Sequence, residues 1–324
     1  MWSAQSSHRR RDDFVPDSSD DTLHYMRYGA AFVICTLAAG LGFLVIHSRG
    51  VGPVKITDEL SVRARIQAVG AARAYKELVT QESGRSSTEQ HSFGHMFGRL
   101  LYQLEGVEGF SICDQSLLAG CFHEFIARAV MDNGFSIMPQ FESQCSTAPW
   151  PTACRHGIGH GLISYLGYST SNLGKALDEC SKYSEREPEQ GCFGGAFMEM
   201  NLRTMGRGGP QSFLEQGQSG VCEKVAKQYR TACFFWLPQW WRDSHFKDAP
   251  LDELFKGLGD LCMKASRNED ERKGCFEGVG YIASPSVEFD KDKSKALCNE
   301  VSAFPRDREN CWENASKSAG WKPA

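Results

Sequence analysis

The sequence predicts an all-α protein of repeated αα-hairpins that are stapled by disulfide bonds and preceded by one transmembrane helix. Two observations support this fold class. Twelve of the thirteen cysteines form six close pairs after a single apolar segment, and the second cysteine of each pair opens a similar phrase, such as GCFHEF, ACRHGIGHGL, GCFGGAF or GCFEGVG. These second cysteines recur at intervals of 33 to 42 residues, which is the period of a two-helix repeat.

The N-terminal segment predicts a membrane anchor. Residues 1–27 are polar and lack an apolar period, which is typical of a disordered tail. Residues 29–46 contain no charge, so we place a transmembrane helix at 28–47. Basic residues concentrate before this helix, at Arg9, Arg10, Arg11 and Arg27, and the positive-inside rule therefore keeps the tail cytoplasmic. We expect a single-pass membrane protein with its main domain in a periplasm or at a cell surface. A cleaved signal peptide is the alternative.

A short linker, residues 48–56, is expected to lead into an extracytoplasmic repeat domain at 57–324. Residues 57–82 are rich in helix formers, with apolar positions three and four residues apart. Ser86 and Glu89 have the spacing of a capping box, which predicts that the next helix begins there.

The clearest hairpin lies between Cys154 and Cys192. CRHGIGHGLISYLGY predicts a first helix, STSN a turn, and LGKALDECSKY a second helix. A polar loop that contains Pro188 follows. Each pair of cysteines would then join the end of one hairpin to the start of the next.

The paired cysteines predict a disulfide framework, because an even number of regularly spaced cysteines beyond a membrane segment is typical of an oxidising compartment. Pairing between neighbours is the economical connectivity, although spacing alone leaves other connectivities open. The thirteenth cysteine, Cys35, lies in the predicted anchor. The predicted bonds are Cys113–Cys121, Cys145–Cys154, Cys180–Cys192, Cys222–Cys233, Cys262–Cys275 and Cys298–Cys311.

KALDEC, a polar loop and then GCFGGAF resemble the cysteine-rich bacterial members of the Sel1-like repeat family, over about residues 105–316. The resemblance implies αα-hairpins stacked into a curved solenoid of the Sel1 and TPR type, with one disulfide bond per repeat. It further implies a concave face that binds protein partners, and a mostly non-catalytic role.

Five of the nine histidines indicate a metal site. His91 and His95 stand four residues apart in HSFGH, and His156 and His160 have the same spacing in HGIGH. Two histidines at this spacing share one helix face and can both bind one metal ion. His123 and His156 each follow a repeat cysteine by two residues, so stacked repeats would bring them to the same face. We predict that the five imidazoles converge.

Two acidic residues are candidate catalytic groups. Glu124 follows His123 directly, and Glu199 comes seven residues after Cys192. Each is predicted to act as the base that activates a water in a metal-dependent hydrolase, and Glu124 has the alternative of orienting a histidine ligand. Ligation by nitrogen and carboxylate suits zinc, iron or copper, and an oxidase is the competing enzyme class.

Two non-enzymatic interpretations stay open from the sequence. The chain would be an interaction scaffold if its histidines only pack and hydrogen-bond, or a haem carrier if two histidines hold the iron. Glycines among the histidines either permit close helix packing or clear space for a bulky ligand. Nucleic-acid binding is not expected, since the net charge is −4 and the repeat region has no basic stripe.

Overall fold

The computed structural model describes residues 55–183, 189–202 and 218–321, and these ranges contain helices and no β-strand. The predicted all-α class is confirmed. The thirteen α-helices of these ranges are α1 Glu59–Val69, α2 Ala71–Glu82, α3 Ser87–Glu105, α4 Gly120–Asn133, α5 Met138–Thr147, α6 Pro151–Leu166, α7 Thr170–Cys180, α8 Cys192–Leu202, α9 Arg230–His245, α10 Leu251–Ala265, α11 Glu269–Ser286, α12 Lys291–Glu300 and α13 Pro305–Ser318.

The first helices begin at side-chain caps. Asp58 and Ser86 each accept a hydrogen bond from the backbone three residues later and form capping boxes, which confirms the helix start predicted at Ser86. Residues 57–82 form two helices rather than one. Gly70 separates α1 from α2 with a φ of +81°, a conformation that glycine adopts without strain.

The hairpin predicted between Cys154 and Cys192 is confirmed by α6 and α7. Gly167 ends α6 with a φ of +93°, and the side chain of Ser169 then caps the backbone N–H of Asn172. Both helices are shifted toward the N-terminus of the predicted segments: α6 begins at Pro151 and ends at Leu166, and α7 begins at Thr170 and ends at Cys180, so the turn is shorter than STSN predicts.

The helices that carry the histidines and the second cysteines pack against one another in sequence order. The contacts run from α3 to α4, then to α6, α8, α9, α11 and α13. The intervening helices α7, α10 and α12 each pack against both helices that flank them, and α5 packs against α6. Any functional side chains on the first set of helices are therefore brought close together along one row.

Glycines set the spacing within this row. A Cβ atom at Gly98 would overlap the carbonyl of Cys121, and one at Gly159 would lie 2.5 Å from the backbone nitrogen of Ala196. The glycines at 94, 157 and 161 also face atoms of a neighbouring helix at 3.1 Å or less. Close packing of helices therefore accounts for these glycines, and they do not clear space for a bulky ligand.

Six disulfide bonds join neighbouring cysteines as the sequence predicts, with Cα–Cα distances of 5.4–5.7 Å. Each bond links the end of one helical unit to the start of the next. The closed loops are 8 to 13 residues long, and each closure is worth about 2–3 kcal/mol in the chain-entropy model.

The predicted tail and anchor, residues 1–47, lie outside the residues that the structure describes. Among the helices that are described, none combines the length and the apolar character needed to cross a bilayer. Only residues 55 and 56 of the predicted linker are described. Ile56 is 1% exposed, and its backbone N–H and C=O both hydrogen-bond the side chain of Gln81. The packed region thus includes the end of this linker.

Candidate metal centre

The five histidines predicted from the sequence converge on one cluster. His91 and His95 project from α3, His123 from α4, and His156 and His160 from α6. The ring of His123 lies in the middle, with centroid distances of 5.2 and 5.8 Å to the first pair and 4.7 and 5.8 Å to the second. The i,i+4 spacing aligns the members of each pair, and the contacts of α4 with α3 and α6 bring the pairs together.

Four of the five rings donate their Nδ1 proton to an oxygen. His91 donates to the carbonyl of Leu118 at 3.1 Å, and His156 to the carbonyl of Gln190 at 2.7 Å. An oxygen acceptor on Nδ1 selects the tautomer whose Nε2 carries the lone pair, which is the state that binds a metal.

The second histidine of each pair donates to a carboxylate instead. His95 Nδ1 lies 3.2 Å from Glu124, and His160 Nδ1 lies 2.9 Å from Glu199. Carboxylates in this position orient an imidazole and raise its basicity. Both predicted acidic residues are thus part of the cluster, and the geometry supports an orienting role for them. Their action as a general base stays a prediction.

The two carboxylates have further partners that the sequence analysis did not identify. Glu124 accepts from Arg128 at 2.7 Å, and Glu199 accepts from the hydroxyl of Tyr168 at 2.5 Å. Arg128 follows Glu124 by four residues on the same helix, so its spacing was a usable signal. Tyr168 had none, because it reaches Glu199 across 31 residues of sequence.

Burial keeps several rings of the cluster neutral. Burial and then the neighbouring His95 lower the pKa of His91 to about 3. Burial lowers the pKa of His123 and of His156 well below the ordinary range, and the surrounding imidazoles add to this effect. These rings are neutral at pH 7 and can donate a lone pair without first losing a proton.

The carboxyl group of Glu124, in contrast to these rings, is stabilised in its charged form. Burial by itself raises the pKa of its carboxyl, but hydrogen bonds from His95 and Arg128 outweigh that effect, and the net pKa lies below the ordinary value. An ionised carboxylate is therefore retained against the ring of His95.

Strained backbone supports one of the hydrogen bonds. Leu117, Leu118 and Ala119 have φ values of +55°, +53° and +59°, a left-handed run that costs on the order of 1–2 kcal/mol per residue. The run places the Leu118 carbonyl on His91, and the Cys113–Cys121 disulfide bond closes the loop around it. Backbone strain of this kind concentrates at functional sites.

A pocket of about 350 Å³ opens onto the cluster at His123 and His156. It gives a small molecule access to rings that are otherwise 9% and 4% exposed. Among the described residues, no Asp, Glu, Lys or Arg lines it, and neither Glu124 nor Glu199 reaches it. The other lining residues are Gln115, Leu118, Ala119, Pro149, Trp150, Pro151, Thr152, Ala153, Gln190 and Tyr281.

An aromatic side chain that the sequence analysis did not assign to the site closes one side of the cluster. The ring of Trp236 in α9 lies 5.2 Å from that of His156, and its indole N–H donates to the carbonyl of Glu189 at 2.7 Å. Trp236 thus packs beside the loop whose Gln190 carbonyl holds His156.

The donor set fits a metal ion. His91, His95 and His123 form one group whose ligand atoms all lie within 4.8 Å of one another, and His123, His156 and His160 form a second such group. Small shifts would bring three nitrogens to the 2.0–2.1 Å bonds of zinc. Comparisons with protein-family models, with curated proteins and with solved structures found no match for this chain.

Proposed function

We propose that this chain is an exported metal-binding protein whose five-histidine cluster binds zinc, iron or copper. The observation that carries the proposal is the convergence of five imidazoles, four of which donate Nδ1–H to an oxygen acceptor. Stacking and packing need no common tautomer, whereas metal ligation does. The convergence therefore favours a metal site over a scaffold whose histidines only pack.

The contact between His91 and His95 supports a bound cation. Their Nε2 atoms lie 2.9 Å apart, while both Nδ1 atoms donate to oxygens. In the neutral rings, two Nε2 lone pairs would face each other and repel. A cation that both nitrogens bind removes the repulsion. A proton on the Nε2 of His95 would also remove the repulsion, and the metal analysis below separates the two.

A haem between two of these histidines has less support. Neighbouring rings of the cluster lie 4.5–5.8 Å apart and contact each other directly. A porphyrin would need an open slot between the two axial imidazoles, and the contacts of the described cluster do not leave one.

The pocket supports an enzymatic role. Bound metal would supply Lewis-acid activation of water or a redox centre, which correspond to a hydrolase and an oxidase. His123 and His156 would hold the metal at the end of the pocket, and the described residues of its walls, which are uncharged, would accept the substrate. Glu124 and Glu199 orient their histidines from behind the cluster. We place the hydrolase first, because zinc suits neutral imidazole ligands and needs no redox partner.

Location and architecture belong to the same proposal. Six disulfide bonds support an extracytoplasmic domain, as does the predicted anchor at 28–47 with the tail on the cytoplasmic side. The sequential packing of α3, α4, α6, α8, α9, α11 and α13 supports a solenoid of αα-hairpins that resembles the Sel1-like family. A protein partner on the face of that solenoid is the proposed role if no metal binds.

Metal analysis of the full chain tests the proposal. The protein is produced in a host that exports it to an oxidising compartment, and metal content and the absorption spectrum are measured. The double variant His95→Ala/His160→Ala removes one ligand from each histidine pair. His245→Ala is the matched control, because His245 is exposed and lies on α9 outside the cluster.

We expect metal in the wild type and in His245→Ala, and none in the double variant. A colourless zinc protein would support the hydrolase, and a coloured iron or copper protein the oxidase. The proposal would be refuted if the wild type contains no metal and the double variant is as stable as the wild type. That result would favour the scaffold.

A further inference from the structure

The two histidine groups are built by the same device. In each, the first histidine of an i,i+4 pair donates to a backbone carbonyl just before the next cysteine-bearing helix. His91 donates to Leu118, which precedes α4, and His156 donates to Gln190, which precedes α8. The equivalence follows the repeated phrases HSFGH and HGIGH.

The second histidine of each pair completes the equivalence. His95 donates to Glu124 of α4, and His160 donates to Glu199 of α8. Each pair is therefore oriented by one carbonyl and one carboxylate from the helix that packs next to it. Two complete sets of orienting groups are more than a single ion requires.

His123 differs from the other four. Its Nδ1 is buried and has no hydrogen-bond partner in the described part of the chain, and its Nε2 makes no hydrogen bond there either. Its ring lies between the two pairs and belongs to both groups. A buried Nδ1 without a partner has lost a hydrogen bond that it would make in water, and a metal ion would replace it. The ring also lines the pocket, where a second ion would bind its other nitrogen.

We infer that the cluster holds two metal ions, with His91 and His95 on one, His156 and His160 on the other, and His123 as the ligand that both ions share. This inference rests on the proposed function. The ligand nitrogens form two groups of three and not one group of five, and metal–nitrogen bonds of 2.0–2.1 Å limit two ligands of one ion to a separation of about 4 Å, so a single ion does not reach all five rings. When both nitrogens of His123 bind metal, its ring proton leaves to solvent.

Zinc titration of the metal-free full chain, followed by native mass spectrometry, tests the inference. We expect two zinc ions per wild-type chain. His91→Ala and His160→Ala should each retain one ion, because each variant damages one group and leaves the other intact. His245→Ala should retain two.

His123→Ala should lose zinc from both sites, as the double variant His95→Ala/His160→Ala should, since each group then keeps only two imidazoles. His160→Gln preserves side-chain volume at this fully buried position and is used if His160→Ala does not fold. Two results would overturn the two-ion inference and leave the proposed metal site standing. One is a wild type that binds a single ion. The other is loss of all zinc from both His91→Ala and His160→Ala while the helical circular dichroism of these variants is unchanged. A wild type that binds no zinc, and no iron or copper in the same titration, would overturn both.

Discussion

Replacing Gly159 with alanine should destabilise the protein, although alanine is the better helix former. Gly159 lies within α6, where its backbone meets the first turn of α8. An added Cβ would lie 2.5 Å from the nitrogen of Ala196, 2.9 Å from the carbonyl carbon of Gly195, and closer still to the carbonyl oxygen of Cys192. All three are backbone atoms and cannot rotate away, so the two helices must separate.

The expected change in the free energy of unfolding is the balance of two opposing contributions, helix propensity and overpacking. Alanine gains about 1 kcal/mol over glycine inside a helix. Overpacking costs typically 1–3 kcal/mol and more where backbone must move. Gly174 provides the matched control, because it also lies inside a helix, α7, and has no atom within 4 Å of an added Cβ. We therefore expect Gly159→Ala to lower the free energy of unfolding by about 1–2 kcal/mol and Gly174→Ala to raise it by up to about 1 kcal/mol.

Guanidinium denaturation with the disulfide bonds intact, followed by circular dichroism, measures both free energies of unfolding. Because α6 carries His156 and His160, Gly159→Ala should also lower zinc affinity, whereas Gly174→Ala should not. Equal stability of the two variants would refute the reasoning, since it would mean that α6 and α8 do not approach each other through these glycines.

Three further predictions concern the carboxylates and the disulfide bonds. Glu199→Gln should lower zinc affinity about 10–100-fold in a chelator competition assay, because a neutral amide orients His160 less well than a carboxylate does; unchanged affinity would exclude the orienting role. The double variant Cys180→Ser/Cys192→Ser should lose about 2–3 kcal/mol of unfolding free energy, and an unchanged value would contradict loop closure as the source of stability. Hydrogen bonds from Arg65 lower the pKa of Glu77 from about 4.5 to about 2. The stability that this ion pair contributes should be complete above pH 4.5 and disappear as the pH falls through 2, and Glu77→Gln should remove that part of the acid dependence.

Much of the candidate site could be predicted because its signals are local. The spacing of four residues puts His91 with His95, and His156 with His160, on one helix face whatever surrounds them. The cysteine register then indicated that His123 belongs with them. What the sequence could not supply was the set of hydrogen-bond acceptors. The carbonyls of Leu118 and Gln190 are backbone groups, and every residue has one.

Two assignments depended on contacts between distant segments. Glu124 and Glu199 were predicted as bases, with an orienting role as the alternative for Glu124, and the structure shows both as hydrogen-bond acceptors of histidines. The glycines had two interpretations until the neighbouring backbone was known. Gly98 and Gly159 are now explained by carbonyls that leave no room for a side chain.

The sequence by itself determined the helical class and the two histidine pairs and favoured disulfide bonds between neighbouring cysteines, because periodicity and short loop closure act over a few residues. Only the tertiary structure decided that the pairs meet around His123, which acceptor orients each ring, and where a pocket reaches the cluster. Those features depend on how closely α3, α4, α6 and α8 approach one another. The separation between these helices is set by packing among residues that are about 30 to 40 positions apart in the sequence, and no local pattern encodes that packing.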